Sequence, residues 1–130
     1  IVTNNPEHPA FELKTKYNNL ETIFYKTEID FADLLVKLKK KYKMDKLTIE
    51  SGGTLNSVFF RSGLVDHVSI VVAPLIVGGK DTSSLVDGFS LTEQSQLLML
   101  KALKLKECKE LENSYLLLEY DVINNTSVEE

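Results

Sequence analysis

The segment Glu50-Ser51-Gly52-Gly53-Thr54 carries the residues best suited to chemistry. It lies between a short β-type run, Leu47-Thr48-Ile49, and a stretch with Leu55, Val58 and Phe59 on one helical side. Open α/β sheets place their ligand crevices beyond the carboxyl ends of strands. Two adjacent glycines let a ligand approach the backbone, because no Cβ stands in the way. The free N–H groups and dipole at a helix start favour a phosphate. Thr54 adds a hydroxyl, and Glu50 can accept hydrogen bonds from a polar substrate. A plainer reading stands beside this one: a tight strand-to-helix turn with a solvated Glu50. Spacing alone does not choose between them, since this is neither a GxGxxG fingerprint nor a P-loop.

The remaining candidates are weaker. Gly78-Gly79-Lys80 lacks P-loop spacing and reads as a structural turn. Lys37, Lys39, Lys40, Lys41 and Lys43 form a solvated helix face. His8 and His67 lie far apart, with no Cys or carboxylate at ligand spacing, so no metal site is expected. Asp66 and Asp87 stand in turn contexts, which favours turn and capping roles over a catalytic pair. Ser51 and Ser57 have no neighbouring His that would make a triad.

Composition narrows the class. The chain has 130 residues, a net charge of -4, 43% hydrophobic and 26% charged residues. That acidity argues against nonspecific nucleic-acid binding. No apolar run approaches the ~20 residues that span a bilayer. The single Cys108 cannot form an internal disulfide, and it has no neighbour that would activate a thiol. A reducing, cytoplasmic setting is expected.

The elements that must position these residues follow from periodicity. Ile1-Val2-Thr3-Asn4 reads as the end of a buried strand, and Asn4 to Lys16 as a connection or short helix. Leu20 to Tyr25 is a β-rich run. Asp30 caps a helix whose apolar face is Phe31, Leu34, Leu35, Leu38 and Tyr42. Leu47-Thr48-Ile49 is a strand, Leu55 onward a helix stopped by Gly63, and Val68 to Val72 a strand buried on both faces. This βαβ order predicts an α/β fold with a mainly parallel sheet flanked by helices. Ala102 to Leu111 and Tyr115 to Ile123 predict an antiparallel hairpin around Glu112-Asn113-Ser114. One domain is expected over residues 1–123, incomplete at its N-terminal side, with a polar tail at 124–130. The Asn124-Asn125-Thr126-Ser127 stretch holds two glycosylation sequons, which are chance without secretion. Unpaired strand edges predict a homo-oligomer.

Glu50-Ser51-Gly52-Gly53-Thr54-Leu55-Asn56, Gly63-Leu64-Val65-Asp66, Ala73-Pro74, Gly78-Gly79-Lys80 and Val86-Asp87-Gly88, in that order, closely resemble the RibD C-terminal family. The archaeal-type reductases of 2,5-diamino-6-ribosylamino-pyrimidinone 5′-phosphate are the most similar in pattern. The resemblance covers Leu47 to Gly88 best, is loose over Ile1 to Glu28, and is a matter of pattern over Leu97 to Ile123. It implies a dihydrofolate-reductase-like fold, a homodimer or higher homo-oligomer, and NADPH-dependent reduction of the ribosylamino group of a pyrimidine ribosyl phosphate in riboflavin biosynthesis. By the same resemblance, Glu50 contacts the pyrimidine. Gly52, Gly53, Thr54, Leu55, Asn56, Ser57 and Val58 line the NADPH phosphate site, and Thr3 borders the cofactor. Ser51 departs from the pattern, since many members have Gly there. The family's Leu-Asp-Gly motif and downstream Thr and Asp, which hold substrate and the nicotinamide end, have no counterpart here, and no residue here compels a general-acid assignment. A non-catalytic nucleotide-binding module of the same fold, and an NADPH reductase of another heterocycle, are the competing readings.

Overall fold

The computed structural model describes residues 1–124, and the expected tail beyond Asn124 lies outside them. Two compact units are present, Ile1–Leu47 and Thr48–Glu130.

In the first unit, β1 (Val2–Thr3) and β2 (Ile23–Phe24) pair in parallel, with Val2 opposite Ile23 and Thr3 opposite Phe24. Thr3 is buried, and its hydroxyl accepts from the Asn5 N–H at 3.0 Å. A short helix, α1 (Ala10–Leu13), lies on the connection between the two strands. Its Phe11 meets Phe24 edge-to-face, with ring centroids 5.8 Å apart. Helix α2 (Phe31–Tyr42) starts where expected: the Asp30 carboxylate accepts from the Asp33 N–H at 2.9 Å. It ends at Lys43, which takes the left-handed conformation at φ 58°. Leu34 is the buried member of its apolar stripe.

The outer face of α2 is held by charge. The Tyr25 hydroxyl donates to Asp33 at 2.7 Å, and Lys37 pairs with Asp33 at 2.6 Å while lying over the Tyr25 ring. Lys41 and Tyr42 both reach the Glu21 carboxylate. The bond from Lys37, then that from Tyr25, hold the Asp33 carboxyl below its ordinary value. Lys41 and Tyr42 do the same for Glu21. Burial, reinforced by Asp33, raises the Tyr25 phenol.

Where a strand was expected at Leu47–Ile49, the chain is neither helix nor strand as it passes into the second unit. Those residues have no ladder partner among the described residues, and a strand exists only by pairing. Helix α3 (Gly53–Arg61) follows and ends at Ser62. Gly63, at φ +66°, donates to Phe60 O, and Leu64 N–H donates to Phe59 O. These two hydrogen bonds satisfy the last carbonyls of the helix.

A three-stranded antiparallel sheet completes the unit, in the order β3 (His67–Val72), β5 (Leu116–Ile123), β4 (Ala102–Glu110). The expected hairpin is present, turning through Asn113 and Ser114 with positive φ. The α/β class therefore holds, but among the described residues parallel pairing is confined to β1 and β2. Among the described residues strand β3 pairs only with β5, antiparallel, and it is not buried on both faces: Val71 and Val72 are exposed. The sheet alternates instead. Val68 and Leu105 flank Tyr120, and Ile70 and Cys108 flank Leu118, on one face. His67 and Lys104 flank Asp121, and Ser69 and Glu107 flank Glu119, on the other. One apolar and one polar face is the antiparallel habit. A bulge between Leu105 and Glu107 keeps Leu105 and Cys108 on the same side.

Because the Asp33 carboxyl is depressed, its stabilising contribution is present above its ordinary value of 3.8 and lost as pH falls through the lower folded value. Thermal melts of wild type and Asp33→Asn should differ at neutral pH, and the gap should close as the pH is taken below 3.8. A gap that persisted in acid would place the effect elsewhere.

Candidate functional site

Helix α3 opens at Gly52, whose backbone is extended (φ -79°, ψ 170°) and which has no side chain to cap the first turn. The Asn56 N–H closes that turn on Gly52 O at 3.1 Å. The N–H groups of Gly53, Thr54 and Leu55 are thus left for an external acceptor. Thr54 is exposed beside them, and its hydroxyl makes no hydrogen bond among the described residues. A Cβ at Gly52 would meet nothing within 4 Å. The backbone at Gly52 therefore has open space in front of it, as a bound phosphate needs.

Gly53 is glycine for a different reason. It is buried, and a Cβ there would overlap the carboxyl group of Asp87. The Asp87 N–H also donates to Gly53 O at 3.1 Å. Its Oδ1 accepts from the Ser84 N–H at 3.2 Å and from the Ser84 hydroxyl. Asp87 is a turn residue, as its context implies, but the turn it holds is docked on the start of α3.

Two more side chains hold the same docking. Asn56 Nδ2 donates to Leu85 O at 2.9 Å and to Ser51 O at 3.3 Å, and its Oδ1 accepts from Ser51 Oγ at 2.7 Å. Arg61, two turns along the helix, donates to Phe89 O at 2.7 Å and to Asp87 O at 3.4 Å, with its guanidinium 3.9 Å from the Phe89 ring centroid. Between them lies Gly88, at φ +100°, where a Cβ would meet Ser57 Oγ at 3.0 Å. Ser57 is buried, and its hydroxyl donates to Thr54 O at 2.9 Å.

The predicted site residues thus separate by what they touch. Gly52, Gly53 and Thr54 present backbone or hydroxyl at the helix start. Asn56 and Ser57 have their side chains bonded within the protein. Leu55 and Val58 are exposed apolar residues on the first turns, and Glu50 is exposed on the segment leading in. Ser51 sits where glycine was expected. It has no positive φ, and its hydroxyl helps hold Asn56. Arg61 and Phe89 were not foreseen. Arg61 lies one helical turn beyond Ser57, and nothing in spacing could pair it with a segment 26 and 28 residues away. An open apolar groove of about 270 Å³ lies at the other end of α3, lined by Phe60, Val68, Val86 and Met99 among others. No cluster of metal-ligating side chains, and no helix long and apolar enough to cross a membrane, occurs among the described residues.

The chain is similar to known proteins in sequence and in fold. The family model described as the RibD C-terminal domain matches residues 3–117. A 2,5-diamino-6-ribosylamino-4(3H)-pyrimidinone 5′-phosphate reductase from Methanothermobacter thermautotrophicus is 39% identical over 72 residues, covering 54% of this chain and 33% of that protein. The riboflavin biosynthesis protein RibD of Actinobacillus pleuropneumoniae is 34% identical over 96 residues, covering 74% and 24%. Among solved structures, Acinetobacter baumannii RibD superposes with a TM-score of 0.65 at 24% identity, over 84% of this chain and 29% of that one. A pyrimidine reductase-like protein from Corynebacterium diphtheriae gives 0.66 at 17% identity, over 95% and 50%. The chain spans about a third or less of the curated relatives it matches.

The two glycines should respond differently to a methyl group. Gly53→Ala should cost about 1–3 kcal/mol of stability, the usual range for overpacking. Gly52→Ala should stay within about 0.5 kcal/mol. In denaturant titrations, Gly53→Ala combined with Asp87→Ala should cost less than the two single changes added together, because the clash is then gone. Strict additivity would count against the contact.

Proposed function

The chain belongs to the RibD C-terminal domain family, and from that membership we propose that it is the cofactor-loop portion of a cytoplasmic, NADPH-dependent pyrimidine reductase of riboflavin biosynthesis. The observation that carries this reading is the uncapped start of α3, with open space before Gly52. Relatives of matching sequence are named as reductases of a ribosylamino-pyrimidinone phosphate, which is the substrate class proposed here.

The residues present fit a dinucleotide phosphate. The N–H groups of Gly53, Thr54 and Leu55 lie at the positive end of the helix dipole, and the Thr54 hydroxyl is free to add a further bond. NADPH, when bound, supplies the hydride that turns the ribosylamino group into ribitylamino. The chain's own contribution is position. Asn56 and Arg61 fix the turn and the loop behind it, so that the donors are in place before the ligand arrives. In this reading Glu50, exposed on the segment before the glycines, accepts from the polar edge of a pyrimidine.

Calorimetric titration with NADPH tests the reading, with Gly52→Asp as the variant. That position is open, so the fold and Tm should be kept while the new carboxylate repels the phosphate and weakens binding about tenfold or more. Saturable binding that Gly52→Asp abolishes would justify following NADPH oxidation with the ribosylamino-pyrimidine phosphate. No binding by the folded chain, or binding indifferent to Gly52→Asp, would sink the proposal.

A further inference from the structure

The chain between β3 and a short 3-10 helix at Gln94–Met99, residues 73–93, has no regular structure of its own. Loops of that length inside a compact unit are usually lids or binding loops. This one has two parts. Residues 84–89 are tied to α3 through Asn56, Arg61 and Asp87. Among the described residues, the hydrogen bonds of residues 75–83 stay within the loop: the Leu75 N–H donates to Ala73 O at 2.8 Å, and the Thr82 hydroxyl donates to Gly78 O.

That untied part opens with three large apolar residues facing water. Leu75 is 72% exposed, Ile76 101% and Val77 80%. Contiguous exposed apolar residues mark surfaces that become covered. The open apolar groove of about 270 Å³ beside α3 lacks a cover of the same chemistry. Its walls include Phe60, Val68, Ile70, Leu85, Val86 and Met99. Val68 and Ile70 belong to the strand that leads into the loop, and Leu85 and Val86 to the segment where the loop is tied down. The exposed residues are thus tethered at both ends to walls of one groove.

We propose that Leu75-Ile76-Val77 is a strap that folds back into this groove, seating Ile76 between Ile70 and Val86, and that the structure shows it open. The reach suffices. Ile76 stands four residues past the end of β3, a span of up to about 14 Å. Ile70 stands two residues, about 7 Å, before that end. Pivots lie on both sides of the apolar residues. The bond from Leu75 to Ala73 makes a tight turn centred on Pro74. Gly78 and Gly79, at φ +66° and +99°, follow the strap. Closing removes the three side chains and the groove lining from water together. It also packs Ile76 on the residue before Asp87, behind the docking of residues 84–89 on α3. The strap does not depend on what the start of α3 binds.

Lys80, exposed just beyond the strap, is a cleavage site for trypsin, and cleavage follows the population of the open form. Limited proteolysis, read at the bond after Lys80 by mass spectrometry, tests the proposal on wild type and on variants that circular dichroism shows to be folded. Ile76→Asp, on the strap, and Met99→Asp, on the groove wall, should each speed cleavage about tenfold. The double variant should be cut little faster than either, since the same contact is lost in all three. Leu98→Asp changes a neighbour of Met99 that is 65% exposed and lies outside the groove, and it should leave the rate unchanged. Equal rates in wild type, Ile76→Asp and Met99→Asp overturn the proposal. So does a rise with Ile76→Asp that Met99→Asp does not share, which would seat the strap elsewhere. An equal rise with Leu98→Asp overturns it too, since it would report a general loosening.

Discussion

The structure around the candidate site depends on one docking, that of residues 84–89 against the flank of α3. The start of α3 has no capping side chain at Gly52, so the usual stabilising device is missing there. Something else has to hold the first turn. Here it is done from the side and from behind: Asp87 N–H on Gly53 O, Asn56 on Leu85 O, Arg61 on Phe89 O. The first of these contacts demands that Gly53 lack a Cβ, and the last demands that Gly88 do so.

The C-terminal sheet obeys a simpler constraint. Its faces are sorted by alternation into apolar and polar, and the bulge at Lys106 preserves the sorting where the register would otherwise slip. The apolar face is only partly covered: Leu103, Leu105, Val72 and Leu116 remain exposed, as does the run Leu75-Ile76-Val77. On the polar face His67 and Lys106 both approach Asp121, at 2.6 and 3.4 Å. These contacts are solvent-exposed and contribute little individually, so the sheet rests on its ladder and on the contacts of its apolar face.

Local signals were readable from the sequence, and pairings were not. Asp30 and Gly63 announced helix ends because capping is a property of adjacent residues. The hairpin announced itself through two alternating runs and a short polar turn. The strand expected at Leu47–Ile49 failed because β-propensity describes a side chain, while a strand requires a neighbour that no local pattern supplies. Val68 to Val72 misled in the same manner, its unbroken apolar run being read as burial on both faces when one neighbouring strand is present among the described residues. Within the site, the glycine pair, Thr54 and the helix start were legible. The work of Asn56, Arg61 and Asp87 was not, because each acts on a segment more than 25 residues away in sequence.

The paired glycines show why a motif shorter than a dinucleotide fingerprint can still be specific. In a GxGxxG turn, separate glycines serve the tight turn, the approach of the ligand and the packing of helix on strand. Here two of those demands fall on neighbouring residues. Gly52 is bare because the space in front of it is open, and Gly53 is bare because the space behind it is taken by Asp87. An alanine at either would add the same methyl group to the same turn, yet the first meets open space and the second the protein itself. It follows that the Gly-Gly pair and Val86-Asp87-Gly88, 33 residues further on, are one structural unit: the second supplies the surface that makes the first necessary.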